Sequence, residues 1–272
     1  MSATWYGDAP PPEARISALG WGLVILRGVP LAFLVFGGLL LLLLIRIFER
    51  PICGAARPLT PFITVFVCHT ALRIMGIGFD VFGQPMTGQG AVVANHSSWL
   101  DIFVLNARKR IYFVSKSEVA AWPGIGWLAR ATGTVFIERN RARAAEQAEV
   151  FQARLHAGHR LLFFPEGTSS DGKRVLPFKS TLFAAFFTPE LRDVLSVQPV
   201  SLRYHAPPGA DPRFYGWWGD MDFGSHMLRL LASAKQGRVT VVYGAPLKVA
   251  DHEDRKALAA ACEAQVRAGH QR

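Results

Sequence analysis

Two long apolar stretches dominate the first 80 residues, and shorter alternating patterns follow them. Residues 29–45 carry no charge and include six consecutive leucines at 39–44. A spanning helix needs about 20 apolar residues, so this stretch is slightly short. Residues 19–26 would lengthen it, but we expect Arg27 and Pro30 to interrupt the pattern. The pattern predicts a membrane-spanning helix or a re-entrant hairpin, and the alternative is a buried core helix.

The second apolar stretch, residues 59–79, contains His69 and Arg73. It predicts a helix in the membrane interface or packed on the first one, and an amphipathic core helix fits equally well. Arg46, Arg50 and Arg57 follow the first stretch, which places the remaining chain in the cytoplasm by the positive-inside rule. We therefore divide the chain into a membrane-anchoring helical segment, residues 1–80, and a second domain, residues 81–272.

The second domain alternates strand-like and helical patterns. Apolar, β-branched runs predict strands at residues 91–94, 111–114, 134–137, 161–164, 197–202 and 239–243. Helical spacing predicts helices at residues 141–156 and 251–268. Residues 206–222 predict a loop directed at the membrane, because they combine proline and glycine with Trp217 and Trp218. The predicted fold class is α/β, a mixed sheet flanked by helices, with an N-terminal membrane-embedded helical segment.

Composition narrows the choice of partners. Half of the residues are apolar, the net charge is +10 and the mean hydropathy is +0.21, which is high for a soluble protein. The basic surface suits anionic membrane or an acidic carrier protein, and the membrane segment argues against nucleic acid. Three widely spaced cysteines indicate a reducing compartment and argue against a thiolate zinc site. We predict no metal site.

The clearest chemical signal is A-N-H-S-S-W-L-D at residues 94–101, where a strand leads through a polar turn into a helix. With Ser98, Asp101 fits a capping box, so its structural interpretation is a helix cap, and that of His96 is a hydrogen-bonded turn histidine. A carboxylate on the first helical turn is equally able to bind one ring N–H of such a histidine. It would fix the tautomer and leave the other nitrogen as a general base.

Two further segments end predicted strands with charged side chains. F-P-E-G-T at residues 164–168 puts Glu166 where α/β folds commonly place a site, although a charged turn fits as well. G-T-V-F-I-E-R at residues 133–139 ends on Arg139, whose planar guanidinium suits an anionic headgroup. The alternative for Arg139 is a solvated surface charge.

Together these blocks resemble a known family. N-H-x-x-W-x-D, G-x-x-F-I-x-R, F-P-E-G-T and V-x-P-V follow one another between residues 92 and 200, as in the glycerolipid acyltransferases of the 1-acylglycerol-3-phosphate acyltransferase family. The resemblance implies that His96 is the general base and that Asp101 orients it. The acceptor hydroxyl then attacks the thioester of acyl-carrier protein or acyl-CoA without an acyl-enzyme, and no cofactor is expected.

The resemblance also implies roles beyond the His96 turn. Arg139, Glu166, Gly167 and Thr168 are implied to bind the acceptor or organise the site, together with Lys179 of the matching L-P-F-K block. A lysolipid is the implied acceptor. The implied location is the bacterial inner membrane, with the catalytic domain facing the cytoplasm.

One departure from the family pattern bears on the acceptor. Phosphate-recognising members commonly carry arginine directly after E-G-T, where this chain has Ser169. Residues 169–180 look more like the bacterial lyso-ornithine lipid O-acyltransferases, so we expect a lyso-ornithine lipid acceptor. Lysophosphatidic acid is the alternative or an additional substrate, because Lys173, Arg174 or Lys179 can replace the missing arginine. A membrane-anchored lipid-binding protein without catalysis is the non-enzyme alternative.

Overall fold

The computed structural model describes residues 4–11, 15–88, 90–138 and 144–272. The helices are α1 (Ala18–Cys53), α2 (Thr60–Met75), α3 (Leu100–Asn106), α4 (Ile125–Thr132), α5 (Ala144–His156), α6 (Pro189–Arg192), α7 (Phe223–Ala232) and α8 (Arg255–His270). The strands are β1 (Gly78–Phe82), β2 (Gly90–Ala94), β3 (Tyr112–Lys116), β4 (Val135–Ile137), β5 (Leu161–Phe163), β6 (Ser196–His205), β7 (Arg238–Tyr243) and β8 (Leu247–Lys248). The predicted α/β class with a mixed sheet is confirmed.

Helix α1 is continuous over 36 residues, so Arg27 and Pro30, which interrupt the apolar pattern, do not interrupt the helix. The Arg27 guanidinium donates to the carbonyls of Leu231, at 2.9 Å, and Ser233, at 2.6 Å, at the end of α7. A charge in an apolar helix is thereby paired with the carbonyls of a helix C-terminus. By length and composition, α1 can cross a membrane, and most of its side chains are exposed in the structure.

Helix α2 packs against α1 and α3. The buried Glu49, near the end of α1, accepts the backbone N–H groups of Leu59 and Thr60, which caps the start of α2. Phe79, expected in the second apolar stretch, instead belongs to β1, which the sequence patterns did not predict. The sheet therefore begins at Gly78, three residues before the predicted domain boundary.

The sheet has the order β1-β7-β6-β2-β5-β3-β4, and β8 pairs with β6. The central strands β2, β5 and β3 run parallel, whereas β6 is antiparallel to β7 and β8. Val93 of β2 pairs with Phe163 of β5. Because the two strands are parallel and in register, the turns that follow them meet at one edge of the sheet.

Alternate residues of the central strands point to two apolar layers. Val92 and Leu162 face α2, α3 and α7. Val93 and Phe163 face α5 and α8 on the other side. Period-two alternation thus produces a sheet buried on both faces, which explains why its strands read as unbroken apolar runs.

Residues 206–222 contain no helix or strand, as predicted for a loop. Their expected membrane orientation is wrong for Trp218, whose side chain is buried and packs near Trp5 with ring centroids 6.2 Å apart. The Trp218 indole donates to the backbone carbonyl of Tyr6 at 3.1 Å. This loop therefore packs against the amino terminus of the chain.

Candidate active site

The turn between β2 and α3 brings His96 and Asp101 into direct contact. His96 Nδ1 lies 2.7 Å from Asp101 Oδ2, and the Asp101 side chain is fully buried. The His96 side chain is 20% exposed, so a substrate can reach the ring. Because Asp101 occupies Nδ1, Nε2 is the ring nitrogen that is left for a substrate proton.

Four donors converge on the Asp101 carboxylate. Oδ2 also accepts the backbone N–H groups of Ser97, at 2.8 Å, and Ser98, at 3.1 Å. Oδ1 accepts the hydroxyl of Tyr204 at 2.7 Å. Burial, followed by the Asp101 charge and this hydrogen bond, raises the pKa of Tyr204 well above its usual value, so the phenol remains a donor. Asp101 thus caps α3 and holds His96 at the same time, which unites its two sequence interpretations.

Three distant segments fix the backbone of the His96 turn. The Asn95 side chain exchanges two hydrogen bonds with the backbone of Leu202 on β6, at 2.9 and 2.8 Å. The His96 carbonyl accepts the N–H of Ser170, and the Ser97 carbonyl accepts that of Trp217, both at 2.9 Å. A turn held on both sides in this way fixes the position of His96.

Aromatic side chains fix the His96 ring and the start of α3. Phe164 stacks on the imidazole with ring centroids 4.0 Å apart and planes inclined by 11°. The indole of Trp99 donates to Nδ1 of the buried His226 on α7 at 2.9 Å. Burial, with a smaller effect of the Arg229 charge, lowers the pKa of His226 to about 3. His226 is therefore neutral and able to accept this hydrogen bond.

The turn after β5 contacts the His96 turn directly. The backbone N–H of His96 donates to Glu166 Oε1 at 3.3 Å, and the Glu166 side chain is buried. Burial and the Asp101 charge raise the pKa of Glu166 well above its usual value, although the backbone N–H groups of His96 and Leu176 act against this shift. Gly167 adopts a φ of +73°, which favours glycine at this turn.

The remaining predicted site residues are placed differently. Thr168 Oγ1 accepts the backbone N–H of Trp5 at 3.3 Å. The backbone N–H of Lys179 donates to the Pro165 carbonyl at 3.0 Å, which puts Lys179 beside the Glu166 turn. Arg139 lies outside the described residues. The structure therefore brings His96, Asp101 and residues 166–168 together at one edge of the sheet, with Lys179 adjacent.

Sequence reasoning missed three side chains that touch this site. Tyr204 and His226 have no local motif, because they reach the site from β6 and α7. Phe164 belongs to the F-P-E-G-T block and directly follows β5. Its stacking on His96, however, depends on β5 lying beside β2 in the sheet. The folded structure identifies all three.

Comparison with known proteins agrees with this geometry. Residues 83–203 match a family model described as Acyltransferase. The chain is 55% identical to a lyso-ornithine lipid O-acyltransferase of Rhodobacter capsulatus, over 97% of this chain and 96% of that one. It is 34% identical to a 1-acyl-sn-glycerol-3-phosphate acyltransferase of Neisseria gonorrhoeae, over 73% of this chain and 76% of that one.

A solved structure shares the fold. The 1-acyl-sn-glycerophosphate acyltransferase of Thermotoga maritima superposes with a TM-score of 0.56 at 22% identity, and covers 90% of this chain and 96% of that one. The similarity extends beyond the sheet to most of the chain, including much of the region that precedes residue 83.

Proposed function

Because the chain belongs to the acyltransferase family, we propose that it transfers a fatty acyl group from a thioester to the hydroxyl of lyso-ornithine lipid. The observation that carries this proposal is the contact between His96 Nδ1 and the buried Asp101 carboxylate at 2.7 Å. This arrangement leaves Nε2 as a general base on a partly exposed ring.

The proposed reaction needs two proton movements and no acyl-enzyme. Nε2 of His96 takes the proton of the acceptor hydroxyl while its oxygen forms a bond to the thioester carbonyl carbon. Asp101 stabilises the imidazolium that forms. The tetrahedral intermediate then collapses, the carbon–sulfur bond breaks, and the thiolate takes the proton from His96. The thioester co-substrate supplies the acyl group, so we propose that no cofactor takes part.

The acceptor assignment depends on the relatives and on one residue. The R. capsulatus relative, named for lyso-ornithine lipid, covers nearly the whole chain. Ser169 follows E-G-T, the position where phosphate-recognising relatives commonly carry arginine. Lysophosphatidic acid is the second candidate, because the N. gonorrhoeae relative is named for a phosphate acceptor. We propose Arg139, Glu166, Gly167, Thr168 and Lys179 as acceptor-binding or site-organising residues.

We further propose that the chain works at the bacterial inner membrane with its catalytic domain in the cytoplasm. The exposed apolar surface of α1 supports a membrane position. The net charge of +10 supports contact with anionic lipid and with an acidic acyl donor such as acyl-carrier protein, with acyl-CoA as the alternative. Arg46, Arg50 and Arg57, after the apolar run, support the cytoplasmic orientation.

A direct assay tests the function. The detergent-purified chain is incubated with labelled acyl-carrier-protein thioester and either lyso-ornithine lipid or lysophosphatidic acid, with the His96→Ala variant as control. We expect diacylated product from lyso-ornithine lipid with the wild-type chain alone. Product from lysophosphatidic acid alone would overturn the acceptor assignment, and wild-type product that persists in the variant would overturn the role of His96.

A further inference from the structure

The amino terminus of the chain lies across the Glu166 turn. We call described residues 4–11 the amino-terminal strap. The backbone N–H of Trp5 donates to Thr168 Oγ1, and the buried Trp218 indole donates to the carbonyls of Tyr6 and Asp8 at 3.1 and 3.3 Å. The Arg213 guanidinium binds the Ala9 carbonyl at 3.0 Å. These contacts hold the strap beside a turn that is part of the proposed active site.

Several positively and negatively charged side chains lie close together near Asp8 of the strap. Arg174 lies 2.9 Å from the Asp171 carboxylate and 3.5 Å from that of Asp8, and its guanidinium sits 5.4 Å from the Trp5 ring centre. Arg213 pairs with Asp211 at 2.9 Å. We call the six charged residues of this region the rim cluster: Asp8, Asp171, Lys173, Arg174, Asp211 and Arg213.

The rim cluster is adjacent to the proposed general base. Ser170, one residue before Asp171, donates its N–H to the His96 carbonyl at 2.9 Å. The Ser170 hydroxyl lies 3.3 Å from both that carbonyl and the Arg174 carbonyl. The segment that carries Asp171 and Arg174 is therefore hydrogen-bonded directly to the backbone of the turn that carries His96.

The rim cluster has no net charge, unlike the chain as a whole. The cluster contains three cations and three carboxylates, so its charges sum to zero, whereas the whole chain carries +10. The pKa of Arg213 is raised, first by its hydrogen bond to Asp211 and also by the charges of Asp8 and Asp171, so the groups act on one another. A site for a phosphomonoester dianion is expected to hold excess positive charge.

From this balance we infer that Arg174 and Asp8 form a headgroup site selective for a zwitterion, one that carries a carboxylate and an ammonium group. The inference rests on the proposed function, since an ornithine headgroup acylated on its α-nitrogen keeps those two charges. Arg174 binds the carboxylate, and Asp8 turns from Arg174 to the ammonium.

Burial distinguishes the two carboxylates that pair with Arg174. The Asp171 side chain is 1% exposed and holds Arg174 in place, whereas those of Asp8 and Arg174 are 73% and 48% exposed. Asp8 is therefore the carboxylate that a ligand can displace from Arg174. A phosphomonoester would meet the same carboxylate as a like charge, which lowers its affinity.

The test compares two acceptors across three single variants of the full-length chain in detergent. We measure kcat/KM for lyso-ornithine lipid and for lysophosphatidic acid in Asp8→Asn, Arg174→Ala and the control Asp80→Asn. Asp80 forms a comparable exposed ion pair with Arg238, at 3.2 Å, between the edge strand β1 and its neighbour β7. Circular dichroism verifies that each variant is folded.

Asp8→Asn should raise the ratio of lysophosphatidic acid to lyso-ornithine lipid kcat/KM by about threefold to fivefold, the range of an exposed charge pair. Arg174→Ala should lower kcat/KM for lyso-ornithine lipid by about tenfold, mainly through KM. Asp80→Asn should leave kcat/KM for both acceptors unchanged. Ratios that stay at the wild-type value in both rim variants would overturn the zwitterion site.

Failure of the proposed function gives a different result. If the wild-type chain acylates only lysophosphatidic acid, the lyso-ornithine lipid assignment is overturned before any variant is compared. A wild-type chain that acylates lyso-ornithine lipid, combined with rim variants that behave like Asp80→Asn, leaves that assignment intact and removes only the role of Asp8 and Arg174.

Discussion

The turn after β2 and the turn after β5 meet at one edge of the sheet. Each contains a buried carboxyl group, but the two groups have different hydrogen-bond donors around them. Asp101 receives four donors: the His96 ring, two backbone N–H groups and the Tyr204 hydroxyl. Glu166 is as deeply buried, but burial dominates its backbone hydrogen bonds and raises its pKa. Donors aimed at a carboxylate, and not exposure to water, therefore determine which of two buried acids is suited to stabilise a positive charge.

The largest expected effect comes from removing the base beside Asp101. His96→Ala should lower kcat by about 10³–10⁴-fold, because no other group described at this turn can take the acceptor proton from the same place. The variant should keep its fold, since the backbone contacts of the turn to Ser170 and Trp217 do not use the ring. Single-turnover kinetics measure the loss, and a loss below tenfold would contradict general-base catalysis by His96.

Asp101→Asn should be nearly as damaging. The amide keeps the size of the side chain, but it cannot stabilise the imidazolium and its NH2 group disturbs the donors around it, so we expect a loss of about 10²–10³-fold in kcat. Acceptor binding should be retained, which equilibrium binding of labelled lyso-ornithine lipid measures. Loss of acceptor binding with unchanged kcat would assign Asp101 a structural role only.

Glu166→Gln sharpens the comparison between the two acids. Burial raises the pKa of Glu166 and so favours its neutral form, which glutamine mimics closely while it can still accept the His96 N–H. We expect kcat to fall by less than about tenfold, far less than in Asp101→Asn. Equal losses in the two variants would show that Glu166 acts as a carboxylate.

The smallest effect is on stability and concerns His226, which supports the same turn through Trp99. Its pKa is about 3 in the folded chain and about 6.5 when unfolded. Its contribution to stability is therefore complete above pH 6.5 and is lost as the pH falls towards 3.

Glutamine at this position offers an acceptor to Trp99 but does not titrate. Between pH 7.5 and 5, His226→Gln should lose about 2 kcal/mol less unfolding free energy than the wild-type chain. Chemical denaturation in detergent at the two pH values measures the difference. Identical pH dependence in both proteins would contradict a neutral, buried His226.

The sequence predicted those features that depend on neighbouring residues. The six-residue segment from His96 to Asp101 contains its own turn and cap, so the contact between the two side chains follows from local geometry. Six strands, all except β1 and β8, were placed within a few residues because apolar β-branched runs are themselves the signal. The α/β class followed from their alternation with helices.

Features that depend on distant residues were not predictable in this way. Tyr204 reaches Asp101 across 103 positions, and Trp5 reaches Thr168 across 163. Arg27 interrupts the apolar pattern of α1, and its partners at the end of α7 lie more than 200 positions away. These contacts depend on how distant segments pack in the folded chain, which hydrophobic periodicity does not encode.

The two hydrogen bonds from Arg27 to the end of α7 also connect the long helix α1 to the domain that contains His96. Helix α7 in turn holds Trp99 through His226, so a continuous series of hydrogen bonds connects α1 to the turn that bears His96. A 36-residue helix is about 54 Å long, and one fastened in this way cannot slide along its axis by itself. The helix therefore fixes the distance between the leucine run and His96, the proposed general base.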